Sequence, residues 1–300
     1  MNKYLKKLLP LYQKLGVSLV PNRYEEPIPD LAELKTFEWE RENPLLGVDL
    51  QEKKQVALLD RISKKVLEEF KRFPAREPAG NGPEEYFHSN PAFRGVDAGV
   101  YYGLIRLLKP RRILEIGAGY STLLAARAVV QNEKEKHPCD LTAIEPYPSE
   151  TLRKGVPGLK RLWEGRLQEV PLGEFGKLGK NDILFIDSSH ISKIGSDVNM
   201  EFLEILPALK KGVLVHFHDI FLPRDYPREV VARDFKFYNE QYLLQAFLSF
   251  NREFEVLWAG QYMYLKNRPL LEKHFGADLL DPGNLEGYWR SVSFWIRRKG

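Results

Sequence analysis

The chain has 300 residues, of which 43% are hydrophobic and 12% aromatic, enough for one large α/β domain or two smaller ones and far from a disordered composition. Its 45 Lys and Arg are nearly matched by 41 Asp and Glu, and the resulting net charge of +4 is spread along the chain, which argues against a nucleic-acid partner. The single cysteine, Cys139, excludes a disulfide framework and a cysteine-based metal site and fits a reducing, cytoplasmic setting.

The first twenty residues, MNKYLKKLLPLYQKLGVSLV, are basic and partly apolar. Pro10 and Lys14 interrupt them before a secretory apolar region forms, and no small-residue cleavage site follows. No stretch reaches the ~18 apolar residues of a membrane span. The segment predicts a short amphipathic helix folded onto the domain, with docking on an anionic membrane surface as the alternative. After the proline-punctuated PNRYEEPIPD, residues 51–72 space Val56, Leu58, Leu59, Ile62, Val66, Leu67 and Phe70 as a helix does. FPAREPAGNGPEEY reads as a loop. These features set an N-terminal helical extension or cap over 1–90 before a domain over 91–300.

Beyond residue 97 short apolar runs recur: RRILEIG, DLTAIEP, LKRLWEG, NDILFIDSS, GVLVHFHD, FEVLWAGQY and SVSFWIRR. Helical segments such as YSTLLAARAVVQNEKEK, SETLRKG, SDVNMEFLEILPALKK and FYNEQYLLQAFLSF lie between them. Strands that alternate with helices and are mostly apolar on both faces predict a doubly wound, Rossmann-like α/β sheet. Ligands of such a sheet bind at the carboxyl ends of its strands, where the strand order reverses.

Gly117 and Gly119 fall just past the first strand and open a helix, where glycine permits a tight turn and close approach of a ligand to the backbone. Dinucleotide sites place a third glycine three residues on; here that position is Thr122, which argues for a nucleoside with a smaller, zwitterionic tail. Glu145 ends the second strand near the distance expected of a carboxylate that binds both ribose hydroxyls. An ordinary αβ turn is the plainer reading of the same features.

EIGAGYST, the acidic strand end at Glu145 and ILFIDSSH resemble motifs of class I S-adenosylmethionine-dependent methyltransferases, a resemblance that covers roughly residues 90–265. NPAFRGVDAGVYYGLIRLLKPRRILEIG is similar to that family's entry helix and first strand. The resemblance implies a seven-stranded sheet, mostly parallel with an antiparallel last strand, and S-adenosylmethionine as cofactor. It further implies Glu115, Gly117 and Gly119 against the methionine part, donors from Ser121 and Thr122, Glu145 on the ribose, and Asp187 at the cofactor's amine.

Two strand ends are unusually polar. FIDSSH carries Asp187 and His190; VHFHD carries His216, His218 and Asp219. Neighbouring parallel strands lie ~4.8 Å apart, so carboxylates at adjacent tips can share one cation. Oxygen ligands suit Mg²⁺ or Mn²⁺, and added imidazoles shift the preference toward Zn²⁺ or Fe²⁺. The pattern resembles the metal-dependent sugar O-methyltransferases of macrolide biosynthesis, which implies Asp187 and Asp219 as metal ligands and His190 as base. His218 stands where that group has a carboxylate and joins the ligand set. The acidic-Asn dipeptide of catechol-type methyltransferases is absent. For His216 a buried, hydrogen-bonded core position is equally open. A neutral imidazole near pH 7 can accept a hydroxyl proton. In the loop FLPRDYPREVV, Arg224 or Arg228 either holds an acidic or phosphorylated acceptor or is solvated surface. Asn239, Glu240 and Gln241 lie toward the site end of the helix that follows.

The reading that emerges is a methyltransferase acting on a hydroxyl of a small molecule, a sugar or glycan. Its partner is that acceptor, with no nucleic acid and no transmembrane segment, and homo-oligomer formation is left open. An NAD-dependent oxidoreductase and a non-catalytic cofactor-binding or assembly protein are the alternatives.

Overall fold

Every one of the seven apolar runs becomes a strand: β1 (Arg112–Ile116), β2 (Asp140–Glu145), β3 (Leu159–Glu164), β4 (Ile183–Ile186), β5 (Leu214–Phe217), β6 (Phe254–Ala259) and β7 (Phe294–Arg298). The computed structural model describes residues 11–18, 22–62, 64–78, 85–280 and 290–300. Among these residues the strands form one sheet in the order β3-β2-β1-β4-β5-β7-β6. β7 runs antiparallel between β5 and β6, and the ladders among β1 to β5 are parallel. The chain winds outward from β1 to β3, then crosses back to β4. The order therefore reverses between β1 and β4, which opens a crevice above their carboxyl ends.

Alternation along the strands divides the core in two. Ile113, Ile183, Phe185 and Leu214 join one apolar cluster, while Leu114, Ile116, Leu184, Ile186, Val215 and Phe217 join the other. The first cluster also takes in α3 (Gly95–Leu108) and α4 (Tyr120–Lys134), and α3 is apolar nearly all round because it is buried nearly all round. It includes residues from α1 (Glu52–Arg61) and α2 (Lys64–Lys71) as well: Leu58, Leu59, Leu67 and Phe70. The second cluster packs on the helix that starts as α5 (Asp197–Met200), passes through a π-helical turn at Glu201–Ile205 and ends at Leu206–Ala208. It also takes in Leu244 and Leu248 of α6 (Glu240–Leu248).

Three local expectations change. The periodic stretch 51–72 is two helices, because Ile62 adopts an extended conformation (ψ 98) and turns the chain while its side chain stays buried. The apolar run FEVLWAGQY leaves the sheet at Ala259, and Gly260 starts a helix, Gly260–Lys266. Of the expected N-terminal amphipathic helix, residues 1–10 and 19–20 lie outside the described residues, as do 79–84 of the loop; residues 11–14 are helical, with Leu11 and Leu15 exposed. No helix among the described residues is long and apolar enough to cross a membrane.

Candidate active site at the carboxyl edge of the sheet

The turn after β1 is locked to its neighbours on both sides. The Gly117 N–H donates to the Ile144 carbonyl (3.0 Å), and the Asp187 N–H donates to the Ile116 carbonyl (2.9 Å). Gly117 has φ +81, and a Cβ there would lie 1.9 Å from the Asp187 carbonyl oxygen. Only glycine fits that position. At Gly119 the situation is reversed: a Cβ would meet no described atom within 4 Å, so this side of the backbone faces open space. Glu145 is gripped at both oxygens, with Oε2 accepting the Ala118 N–H (3.0 Å) and Oε1 the Tyr147 N–H (2.8 Å). Each oxygen keeps a second lone pair for a ligand.

Thr122 is fully buried, and its Oγ1 accepts the Gly119 N–H (3.0 Å), so its hydroxyl closes the turn that opens α4. Ser121 is buried beside it. Glu115, one turn of strand earlier, is fully buried, and among the described residues neither of its oxygens has a hydrogen-bond partner. Burial raises its carboxyl to about 8, against which the Ser121 and Thr122 hydroxyls act only weakly. An unpaired buried carboxyl, an open glycine face and an oriented second carboxylate suit a ligand that carries an amine at one end and hydroxyls at the other.

The second half of the site lies at the tips of β4 and β5, which are paired in register up to Ile186 and Phe217. Asp187 directly follows Ile186, Asp219 lies two residues past Phe217, and both reach the same imidazole. His190 Nε2 lies 3.2 Å from Asp187 Oδ1 and 3.5 Å from Asp219 Oδ2, while Nδ1 lies 2.8 Å from Glu240 Oε2. One ligand atom from each of Asp187, His190 and Asp219 can be chosen so that all lie within 4.8 Å of one another. His190 (φ +58) and Asp219 (φ +56) both hold left-handed backbone conformations, which non-glycine residues adopt at a cost and which cluster at functional sites.

Charge is unevenly distributed here. Burial alone would lower the His190 pKa, but the bonds to Asp187 and Glu240 and the field of Asp219 overcome it and raise it well above the ordinary value. The imidazole therefore keeps its proton through neutral pH when no other cation faces these carboxylates. For Asp187 the enclosing protein favours the neutral acid, yet the His218 and His190 imidazoles outweigh it and hold the carboxyl at about 2. The Asp187 side chain is still 34% exposed, so a solute can reach it. Burial raises both Asp219 and Glu240, with the nearby histidines only partly compensating.

The remaining histidines take different places. His218 stands outside the converging trio, with Nε2 3.7 Å from Asp219 Oδ1 and its ring packed against Phe93. His216 is a core histidine: fully buried, stacked on Phe185 at 3.9 Å, and bonded through Nε2 to Ser293 Oγ (2.9 Å). Burial lowers its pKa well below the ordinary value, so it is neutral. In the loop after β5, Arg224 pairs with Glu40, Arg228 is exposed, and Phe221 and Tyr226 are buried. Arg41, Arg224, Gln241 and Tyr242, with the apolar Phe37 and Leu222, line a cavity of about 530 Å³ on that side. Sequence reasoning placed Glu240 only near the site and passed over Tyr238, whose ring lies 4.8 Å from that of His190. Neither carries a local motif; an acidic residue heading a helix that buries Leu244 and Leu248 was the one available signal for Glu240.

Residues 114–220 match the model of a methyltransferase domain family. An uncharacterized protein of Archaeoglobus fulgidus is 31% identical over 178 residues, which is 57% of this chain and 78% of that protein. Among solved structures, a CmcI apo-structure is 13% identical with a TM-score of 0.34 over 92% of this chain and 98% of its own. A CmcI Mg-SAM structure is 14% identical with a TM-score of 0.32 over 100% of both chains. A putative methyltransferase from Thermobifida fusca YX is 11% identical with a TM-score of 0.38 over 82% of this chain and 94% of its own. The last three are distant likenesses and bear no weight beside the matched domain and the strand order. With that domain spanning the glycine turn and both polar strand tips, in a sheet whose β7 runs antiparallel, the chain belongs to the class I S-adenosylmethionine-dependent methyltransferases.

Proposed function

We propose that the protein transfers a methyl group to a hydroxyl of a small molecule, a sugar or glycan, with His190 as the base. The observation that carries this reading is the convergence of His190 Nε2 with the Asp187 and Asp219 carboxylates at the strand tip whose backbone abuts Gly117. Cofactor turn and polar cluster are thus neighbours through one residue, Asp187.

S-adenosylmethionine, when bound, supplies a methyl group on a sulfonium, open to in-line displacement. The residues present fit it. Glu115 offers two unpaired oxygens to an amine, Gly119 an unobstructed backbone face, and Glu145 two lone pairs to ribose hydroxyls. Asp187 and Asp219 fit a divalent cation, Mg²⁺ or Mn²⁺, which would acidify an acceptor hydroxyl and offset the charge that keeps His190 protonated. His190 then orients the acceptor and takes its proton at Nε2 while Glu240 holds Nδ1. As ligand and as base His190 would use the same nitrogen, and the base role is the one assigned here.

The cavity beside Arg224 and Gln241 offers these polar side chains to a hydroxylated acceptor, next to the apolar Phe37 and Leu222. Residues 1–90 would act as the extension that shapes the acceptor side of the domain over 91–300, in the cytoplasmic setting that a lone cysteine suits. A screen of sugars and other hydroxylated acceptors with methyl-labelled cofactor is the direct test. Transfer to such an acceptor, lost in His190→Gln with S-adenosylhomocysteine affinity retained, is the expected result. Transfer that persists in His190→Gln would remove the base from the scheme, and failure of the wild type to bind S-adenosylhomocysteine would overturn the whole reading.

A further inference from the structure

We propose that Glu240, together with its neighbour Asn239, is the positioning device of this site: it fixes the His190 ring so that Nε2 is presented to Asp187, Asp219 and the acceptor. The inference rests on the reading of His190 as the base. Five contacts join the start of α6 to the 190–192 segment. The Asn239 and Glu240 N–H groups both donate to the His190 carbonyl (3.1 and 3.3 Å). The Asn239 side chain brackets Ser192, accepting its N–H at Oδ1 (2.6 Å) and donating through Nδ2 to its carbonyl (3.3 Å). The fifth is the bond between Glu240 Oε2 and His190 Nδ1 (2.8 Å).

Backbone and ring are thereby fixed by the same two residues. That matters because His190 sits at φ +58, a conformation a histidine does not hold without support. The carboxylate of Glu240 holds a proton on Nδ1 and so fixes which way the ring faces, with Nε2 on the side of Asp187 and Asp219.

A purely architectural role does not explain the residue. Glu240 is fully buried at the head of a helix whose Leu244 and Leu248 fill the core, and among the described residues its Oε1 has no partner. A carboxylate in that place costs stability, and an apolar residue of similar size would pack there without the penalty. Its bond to His190 is what the charge accomplishes.

The test uses the whole protein labelled with ¹⁵N-histidine, with the His190 ring signals assigned by their loss in His190→Gln. Glu240→Gln keeps the size and one acceptor oxygen but removes the charge; Asn239→Ala leaves Glu240 in place and loosens only the backbone grip. In Glu240→Gln the His190 ring-nitrogen signals should move while those of His216 stay fixed. Turnover with an acceptor found for the wild type should fall by about 10–100-fold, with acceptor KM and S-adenosylhomocysteine affinity unchanged. Glu240→Ala should lose more than Glu240→Gln, and Asn239→Ala less. Superimposable ring signals in wild type and Glu240→Gln, or equal turnover, would overturn the proposal. Because the ring signals need no acceptor or cofactor, a wild type that transfers no methyl group would count against the functional reading alone.

Discussion

Gly117 and Asp187 approach so closely that the backbone of one leaves no room for a Cβ on the other: the gap to the Asp187 carbonyl oxygen would be 1.9 Å. Gly117→Ala therefore forces β1 and β4 apart in a backbone conformation alanine avoids. It should cost at least ~3 kcal/mol and lower the melting temperature sharply. Gly119→Ala, which faces open space, should leave folding nearly unchanged and weaken cofactor binding. Thermal melts paired with calorimetry on both variants check this, and a Gly119→Ala protein that binds S-adenosylhomocysteine normally would remove that face from the cofactor site.

Glu145 is already oriented by two backbone N–H groups, so its removal should affect binding with little reorganisation of the fold. Glu145→Ala leaves ribose hydroxyls poorly paired and should weaken S-adenosylhomocysteine binding by ~1.5–3 kcal/mol. Titration calorimetry on wild type and variant measures this directly.

Glu115 makes a pH-dependent contribution to stability. Its folded carboxyl titrates at about 8 against an ordinary value of 4.5, so between those limits the folded chain binds more protons than the unfolded one. Its contribution is fully present below pH 4.5 and is lost as pH rises toward 8, a difference on the order of a few kcal/mol. Denaturant melts of the cofactor-free protein at pH 5 and pH 8 should show this decline, and Glu115→Gln should flatten it. An unchanged slope in the variant would assign the pH dependence to other groups.

Asp187 and Asp219 flank an imidazole that stays protonated while no other cation is present. Activity should fall under exhaustive chelation and return with Mg²⁺ or Mn²⁺. Mn²⁺ should also raise the melting temperature of the wild type and leave that of Asp187→Asn where it was. Full activity after chelation would leave the carboxylates as a hydrogen-bonded setting for His190 without a metal.

Local chemistry is what made the fold readable from the residues. β4 is apolar on both faces and β5 is apolar save for His216, and they end abruptly in Asp187 and His218–Asp219, so their boundaries followed from composition. Gly117 and Glu145 could be read for the same reason, since each acts through backbone within a few residues of itself. The break at Ile62 could not, because apolar periodicity continues across it and the side chain of Ile62 stays buried although its backbone is extended. Glu240 lies 50 residues from His190, and no pattern in either segment announces their bond. The proton on His190 was equally hidden, since it depends on carboxylates from three separate places in the chain. A lone histidine in the sequence suggests neutrality near pH 7; three surrounding acids reverse it.

The outer strand β6 is finished by a residue from far upstream. Gln55 of α1 is fully buried, its Oε1 accepts the Ala259 N–H (2.8 Å), and its Nε2 donates to the Leu50 carbonyl (2.6 Å). Nearby, Glu52 accepts from the Tyr262 hydroxyl and the Asn267 amide. An uncovered outer strand is a template for pairing with another molecule's backbone, and α1 occupies that position here. A chain shortened to begin at the first strand would bare this edge together with the apolar seat left by Leu58, Leu59 and Phe70. Such a chain should aggregate, whereas one that starts ahead of residue 52 keeps the edge covered.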